Sequence, residues 1–600
     1  MIVPMSKITV LALAADQAAT LHALQNAGVL HLNPLQPPAG DALEQARRRV
    51  ERIRRIQAVL SRIAREHPDH SSATSLSSDE GITPERLMEE TDQCLQTLQD
   101  LENRRHALAE QIRVLEPLGH FDPALIRTLE SHQIFVRLFR APIRARRTIP
   151  DGVIQIPLAT DGRYDYFALI ASQEPSCVGA TAIPLPERSL NDLRRERAEV
   201  EGALHDRQGR LVELSRLTER LAPLLAEAEE RLKWEEARAG MGAKGPVVLL
   251  QGYAPRRDVP HLQRLAHRHG WGLLAEEPTA EDHPPTLIQN PPWIRPVHLV
   301  FKLIGILPGY READVSPVFL IFFTLFVAML IGDAVYGLLF LGLTLVLKRR
   351  RAHLPEHVIP LLSILSVATF LWGVMSGNYL GIERLPSFVE RMKVPLLTDP
   401  IDLQSFCFLI GATHLSVAHA WNAIRLLPSP QAIAHLGWIG LCAAMYAVAN
   451  FLVLGVALPR GFFALLILSV LYILLFTVPP QRLRAEAVSL VTLPLSLIGN
   501  FGDVVSYLRL YLVSTASVVL VKAVNGILFG AGPLGWAGMI GAGVVLFFVH
   551  ALNLMLASLA VLVHGIRLNA LEFSTHMGIQ WLGRPYSPFR KEIPSKSPNP

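Results

Sequence analysis

The sequence predicts a two-part molecule. Residues 301–600 form a polytopic α-helical membrane domain of about eight helices, the last two long and tilted. Residues 1–300 form an elongated cytoplasmic α/β domain, two lobes joined by a coiled-coil rod. Three observations carry this reading. Half of the 600 residues are hydrophobic, yet the first 300 hold no long apolar run, while runs long enough to cross a bilayer dominate from about residue 318. Apolar residues of the first half recur at helical spacing over long, highly charged segments. Two arginines, Arg509 and Arg567, lie inside apolar stretches near the C-terminus. A guanidinium stays charged at physiological pH, and at a bilayer centre it costs roughly 2.5–3.5 kcal/mol even on the lenient scale.

The N-terminal half begins strand–helix: SKITVLALA, then the amphipathic ADQAATLHALQNAG. The apolar stretch at the very start turns polar too quickly for a signal peptide. A helix follows with Leu43, Ala46, Val50, Ile53 and Leu60 on one stripe and arginines and glutamates on the other face, which suits an antiparallel coiled coil. After a polar break at 67–81 a second long helix is expected over 84–116. Strands are expected at 132–139 and 164–171. The longest helix is expected over 188–238, with Leu211, Leu214, Leu221, Leu225, Ala228 and Leu232 on one stripe. GPVVLLQGYAP reads as a strand and turn, and 258–269 as a helix. Such a shape is a strut, and intramolecular packing accounts for its stripes. No GxxxxGK[ST], HExxH or GxSxG occurs in this half. The sequence therefore implies no cofactor, no metal and no catalytic residue, and any nucleotide chemistry belongs elsewhere. The net charge of +5 is spread along the chain or sits at membrane edges, with no nucleic-acid signature. The four cysteines are scattered, which argues against a disulfide framework or zinc site.

In the second half the expected spans are 318–347, 358–381, 402–425, 433–457, 461–478, 487–528 and 535–570. Basic residues orient them: Lys348–Arg351, Arg425, Arg482, Arg484, and Arg584, Arg590 and Lys591 in the tail. If Lys348–Arg351 and the N-terminal half are both cytoplasmic, 318–347 is a hairpin of two short helices turning at Gly332-Asp333. Eight helices then leave both termini in the cytoplasm. A single long helix there is the alternative, and it leaves four basic residues outside.

The last helix carries His550, Asn553, Ala557, Ala560, His564 and Arg567 at 3-4 spacing. The one before it carries Gly502, Ser506, Arg509, Val513 and Ser517. Small residues permit close helix approach, and polar ones line water or a proton path. His414 and His419 add groups that exchange protons near neutrality. The plainer readings are a satisfied bundle contact for each histidine, and an interhelical ion pair of the arginines with Asp503 or Glu572.

At these residues the chain resembles the membrane stator subunit of rotary V/A-type ATPases, called subunit a or subunit I. SYLRLYLVSTA resembles the family's SYLRL segment, so Arg509 matches its essential arginine. VHGIRLNALEF resembles HxLRLxxVEF and carries Arg567 and Glu572. IGDAVYGLLF resembles GDxGYG, with Val335 in place of a glycine. GYREADVSPVFLIFF resembles YxEIDPTP, LLQGYAP a GWVP-like turn, and LGRPYSPF the bacterial tail. Some members carry a glutamate ten residues before the second arginine, where this chain has Ala557. Glu572, Asp503 and the histidines are left to supply that acidic group.

The resemblance implies a subunit with no catalytic site of its own. Its expected place is the cell inner membrane, with the N-terminal half and the C-terminus cytoplasmic. It implies two offset half-channels beside a proteolipid ring of c/K-type subunits, and proton or sodium movement coupled to ATP hydrolysis or synthesis on other chains. The translocation residues it implies are Arg509, Arg567, Glu572, His564, Asn553, Ser506, Asp503 and His414. Expected partners are the ring, peripheral-stalk E/G-type subunits, a central-stalk d/C-type subunit and membrane lipid. A secondary transporter or channel with a regulatory coiled-coil domain is the alternative, and it predicts a repeat symmetry that the sequence lacks.

Overall fold

Strands and helices are mixed until the apolar half of the chain begins, where every described element is helical. The structure is a computed structural model. It describes residues 1–67, 82–145, 147–149, 151–350, 354–478, 487–530 and 535–591, the side chains of 487–491 excepted. The expected polar break after residue 67 and the basic residues Arg351, Arg482 and Arg484 lie outside the described residues.

Nine strands are described: β1 (Met5–Leu13), β2 (His31–Asn33), β3 (Phe135–Pro142), β4 (Ile154–Thr160), β5 (Tyr164–Ala171), β6 (Thr181–Ile183), β7 (Gly242–Lys244), β8 (Val247–Pro255) and β9 (Gly272–Glu276). One sheet has the order β2-β8-β1-β9 with β7 on β8; the other is β4-β5-β3-β6. The chain divides into two compact units. One holds residues 1–9, 29–31 and 252–588, the other 10–28, 32–251 and 589–600.

The second unit contains α1 (Gln17–Ala27), α2 (Asp41–Glu66), α3 (Pro84–Leu115), α4 (Pro123–Ser131), α5 (Leu190–Ser215) and α6 (Leu221–Ala239). The α2 stripe is buried as its spacing required, with Ile56 added to it. It shares a core with Leu87 and Cys94 of α3, Leu211 and Leu214 of α5, and Leu221 and Ala228 of α6. The four-stranded sheet alternates its faces. Val136 and Leu138 join a core with Leu108, Ile112 and Leu193, while Phe139 and Ala141 pack with Phe167 and Leu169 on the opposite face.

The helix expected over 188–238 is broken. Residues Thr218–Arg220 form a 3-10 turn between α5 and α6. Pro223 is the cause: within a continuous helix its ring would strike the carbonyl of residue 219.

The first unit contains α7 (Val259–His269), α8 (Val297–Ile304) and the apolar helices. These are α9 (Ser316–Ile331), α10 (Ala334–Arg349), α11 (Val358–Ser376), the single turns α12 (Ser387–Glu390) and α13 (Pro395–Thr398), α14 (Pro400–Leu426), α15 (Gln431–Leu454), α16 (Phe462–Phe476), α17 (Ala487–Val505), α18 (Leu508–Phe529), α19 (Trp536–Ala560) and α20 (Ser574–Met577). Five described helical stretches are long and apolar enough to cross a membrane: α11, α14, α15, Thr492–Phe529 and Trp536–Met577.

The stretch expected to turn at Gly332-Asp333 does break there, and α9 and α10 are bent by 120°. Gly332 takes a left-handed φ of 63°, ending α9. Asp333 Oδ1 accepts from the backbone N–H groups of Val335 and Tyr336, starting α10. Helix α10 lies backbone-close to α11. A Cβ at Gly373 would meet the Ala334 nitrogen at 2.0 Å, and one at Gly337 the Phe370 nitrogen at 2.3 Å.

Two expected spans depart from simple helices. Residues 487–528 are interrupted at Ser506-Tyr507, where the Arg509 and Leu510 N–H groups bond three residues back instead of four. The last helix passes into π-helix at Val561–Gly565 and Leu568–Phe573 before α20. Both irregularities sit at the two arginine segments. Tyr507, Leu510, Ala560 and Leu568 nonetheless share one core with Phe326, Trp372 and Ile410.

Candidate functional site

The tight turn before α18 sets the position of Arg509. Its Nε donates to the Ser506 carbonyl at 2.9 Å, and its Nη2 to Glu572 Oε1 at 2.9 Å. The backbone of Ser506 holds the arginine, while its hydroxyl donates to the Asp503 carbonyl at 2.7 Å. Arg567 reaches the same Glu572 oxygen from 3.4 Å. The π-helical segment makes this possible by widening the turn between Arg567 and Glu572. One carboxylate oxygen thus serves two guanidinium groups. The Glu572 side chain is 7% exposed, Arg509 26% and Arg567 53%. Glu572 Oε2 is buried and meets no hydrogen-bond partner among the described residues.

Tyr507 fixes the turn from the other side. It is fully buried, its hydroxyl is 2.8 Å from His414 Nδ1, and a Cβ at Gly411 would lie 2.6 Å from its ring. His414 is clasped between Phe322 and Phe573, with ring centroids 3.9 and 4.4 Å away. Its described contacts are aromatic, and the structure brings it to Tyr507. The Nδ1 of His564 is buried without a partner among the described residues.

Polar side chains gather in two further places. Toward the C-terminal end of α18, Ser517 donates to Asn553 Oδ1. Asn553 donates to the Tyr336 hydroxyl at 3.3 Å, which is 2.7 Å from His550 Nδ1. Tyr336 begins three residues after Asp333, whose Oδ2 accepts from the Leu380 N–H at 2.6 Å. On the N-terminal side of Arg509, Asp503 Oδ2 lies 3.0 Å from His576 Nε2. His576 Nδ1 lies 2.9 Å from His419 Nε2, and His419 Nδ1 lies 3.1 Å from His435 Nδ1. Asn422 donates to the His576 carbonyl at 3.1 Å.

The structure therefore brings Arg509, Arg567 and Glu572 together. It sends Asn553 to one polar cluster and Asp503 to another, and keeps His414 in aromatic packing. Tyr336, Tyr507, His435 and His576 are participants that the sequence reading passed over. One signal could have found His435: it and His419 are equidistant from Leu427 in the short connection between α14 and α15. Antiparallel helices bring such positions level. His576 lies beyond residue 570, where the expected span ended.

Comparison with known proteins bears on this arrangement. The chain is 27% identical to "V-type ATP synthase subunit I 1" of Treponema pallidum over 98% of this chain and 100% of that one. It is 25% identical to "V-type ATP synthase subunit I" of Borreliella burgdorferi over 98% and 100%. The chain is a homologue of subunit I of the V- and A-type ATP synthases. The archaeal "A-type ATP synthase subunit I" of Methanocaldococcus jannaschii matches at 25% identity over 68% of this chain and 64% of its own. A solved structure titled as the cytoplasmic N-terminal domain of subunit I, homolog of subunit a, of V-ATPase covers 45% of this chain and 99% of its own. Its identity is 16% and its TM-score 0.21, too low to define a shared fold. No family model matches the chain.

Proposed function

We propose that this subunit I homologue is the stator of a rotary ATPase and forms two ion half-channels beside a ring of proteolipid subunits. One observation carries the reading: polar clusters lie on both sides of the Arg509–Glu572–Arg567 group along the last helices. Ser517 is eight residues beyond Arg509 on α18, about 12 Å at 1.5 Å per residue. Asp503 lies six residues before it. With the basic edges Lys348–Arg350 and Arg425 in the cytoplasm, the Tyr336–Asn553 cluster belongs to the outer side and the Asp503–His576 cluster to the inner side. Eight crossings, with α9 and α10 as a hairpin and α16 as a short span, keep the N-terminal half and the tail cytoplasmic.

The chemistry follows from charge. An ion enters one half-channel and neutralises a carboxylate on the ring; rotation carries it round to the other. The fixed guanidinium of Arg509 between the two favours the ionised carboxylate. Each arriving site is driven to release its proton, and a direct leak between the half-channels is barred. Glu572 holds the arginine in place, and Arg567, more exposed, extends the positive surface. Only 6% of the apolar window in Thr492–Phe529 is buried, and 17% of that in Trp536–Met577, against 33–44% for α11, α14 and α15. Such an open apolar flank fits a ring and lipid. At about 57 and 63 Å if fully α-helical, these stretches exceed a hydrocarbon core of about 30 Å and must tilt or protrude. The N-terminal half fits the attachment of peripheral stalks.

The test is ATP-driven pumping in inverted vesicles holding the whole complex. Arg509→Ala should abolish pumping while the complex still assembles. Arg509→Lys should rescue poorly, because lysine lacks the planar fork and can lose its proton when buried. Normal pumping by Arg509→Ala would refute the assignment.

A further inference from the structure

Four ionisable side chains from four separate elements stand in single file. His435 is on α15, His419 on α14, His576 on α20 and Asp503 on α17. The links are 3.1 Å between the Nδ1 atoms of His435 and His419, 2.9 Å from His419 Nε2 to His576 Nδ1, and 3.0 Å from His576 Nε2 to Asp503 Oδ2. Both inner imidazoles use both ring nitrogens. No three of the described His, Cys, Asp or Glu side chains converge on a metal-sized point, so these groups form a line. Packing holds them there: the His419 ring stacks on Trp438 at 5.4 Å and 12°, and Asn422 ties down the backbone at His576. The two ends differ from the middle. His419 is 4% exposed and the His576 side chain 9%, whereas 38% of the Asp503 side chain is open. His435 is also partly exposed, two residues before Gly437 in the opening turns of α15, near the basic edge at Arg425.

We propose that His435, His419, His576 and Asp503 are a proton relay that supplies the inner half-channel, and that this route takes protons and not sodium. This rests on the stator reading above. The proton balance is closed. At the start each imidazole is neutral and donates its one N–H toward Asp503, whose carboxylate is ionised. A proton from water binds His435 Nε2. His435 passes its Nδ1 proton to His419 Nδ1, His419 its Nε2 proton to His576 Nδ1, and His576 its Nε2 proton to Asp503. One proton has entered and one carboxyl has been made. All three imidazoles are neutral again in the opposite tautomer. Delivery of the Asp503 proton to the ring, and reversal of the tautomers, resets the line. The reverse sequence runs during synthesis. Imidazole is suited to this because it exchanges protons near neutrality at either nitrogen. Sodium prefers oxygen ligands, as other hard cations do, and ring nitrogens already in hydrogen-bond contact leave it no space.

The experiment uses inverted vesicles containing the assembled complex, with ATP-driven acidification and radioactive sodium uptake as the two readouts. His419→Phe keeps a ring on Trp438 and removes both nitrogens; acidification should fall roughly tenfold or more. His435→Ala, at the exposed end, should also lose acidification and regain much of it when imidazole is added, an effect that a purely structural role would not give. Wild-type acidification should not depend on sodium, and no ATP-driven sodium uptake should appear. Full pumping by His419→Phe, loss in His435→Ala without imidazole rescue, or sodium uptake would each overturn the relay. Should His419→Phe fail to assemble, His435→Ala decides in the same terms. Arg509→Ala separates the two proposals. Normal pumping there overturns the stator reading; lost pumping there, beside intact pumping in the histidine variants, overturns the relay alone.

Discussion

Arg509 and Glu572 are joined by a 2.9 Å hydrogen bond across 63 residues of chain, and the bonded glutamate oxygen also receives Arg567. The contact meets at two backbone irregularities, the 3-10 turn before α18 and the π-helical end of the last span. Mid-helix departures of this kind collect at functional sites. The pair also supplies what a bilayer demands of a charged group, a partner. Pairing and function are therefore not rivals here: Glu572 is what allows Arg509 to be held in place.

The closest backbone approach in the apolar half yields a first prediction. Gly373→Ala would place a methyl group 2.0 Å from the Ala334 nitrogen, where backbone cannot yield. Helices α10 and α11 should separate, at a cost of about 1–3 kcal/mol. A lower thermal midpoint for the detergent-solubilised complex should follow. Gly342→Ala, which lies within α10 and meets nothing within 4 Å, should leave the midpoint unchanged or raise it slightly.

Sidedness is open to cysteine labelling. A cysteine at Arg350 should react with an impermeant reagent only from the cytoplasmic side, and one at Ser387 only from outside. Labelling of position 350 from outside would mean that α9 and α10 together cross once.

The last helix presents two unlike faces. Ala557 and Ala560 are 4% and 7% exposed, and Leu556 and Leu559 are 46% and 55% exposed. Ala557→Trp and Ala560→Trp should impair coupled pumping by overpacking, and tryptophan at Leu556 or Leu559 should be better tolerated. Equal damage at all four would mean that both faces are closed in the assembled complex.

Outside the membrane, Lys7 and Tyr253 converge on Asp282, whose second oxygen accepts from the Thr279 N–H. The hydrogen bond from Lys7, with those from Thr279, holds the Asp282 carboxyl down to about 2, and burial beside that carboxylate lifts Tyr253 to about 12. The unfolded chain then binds the proton more readily. The stabilisation is complete above the ordinary value of 3.8 and is lost as pH falls toward about 2. Asp282→Asn should cost about 1 kcal/mol, read as faster amide exchange at Thr279 at neutral pH. The difference from wild type should shrink on acidification through that window.

Much of this molecule was legible in sequence because periodicity and charge report burial directly. The α2 stripe, the break at Gly332-Asp333 and the two arginine segments all came from local pattern. The division of 188–238 was missed because an apolar stripe continues across Pro223, so the pattern concealed the break. The clusters were missed for another reason. Tyr336 with His550, and His576 with His419, are 214 and 157 residues apart. No spacing rule links them until the helices are packed. The π-helix is likewise invisible to a 3-4 count: the sequence offers the arginines an interhelical pair with Asp503 or Glu572, and only the π-helical turn lets Arg567 share Glu572 from within its own helix.

The central claim is that the charge of Arg509 serves transport and is more than a brace for Glu572. The direct measurement is ATP-driven pumping by the double variant Arg509→Gln/Glu572→Gln, set against each single change. Arg509→Gln leaves Glu572 paired with Arg567, whereas Glu572→Gln strands the buried Arg509 without its partner. Removing both charges relieves that penalty, so the double variant should assemble at least as well as Glu572→Gln. The account predicts assembled complex with no pumping. Pumping restored in the double variant would contradict it and reduce the pair to a structural brace.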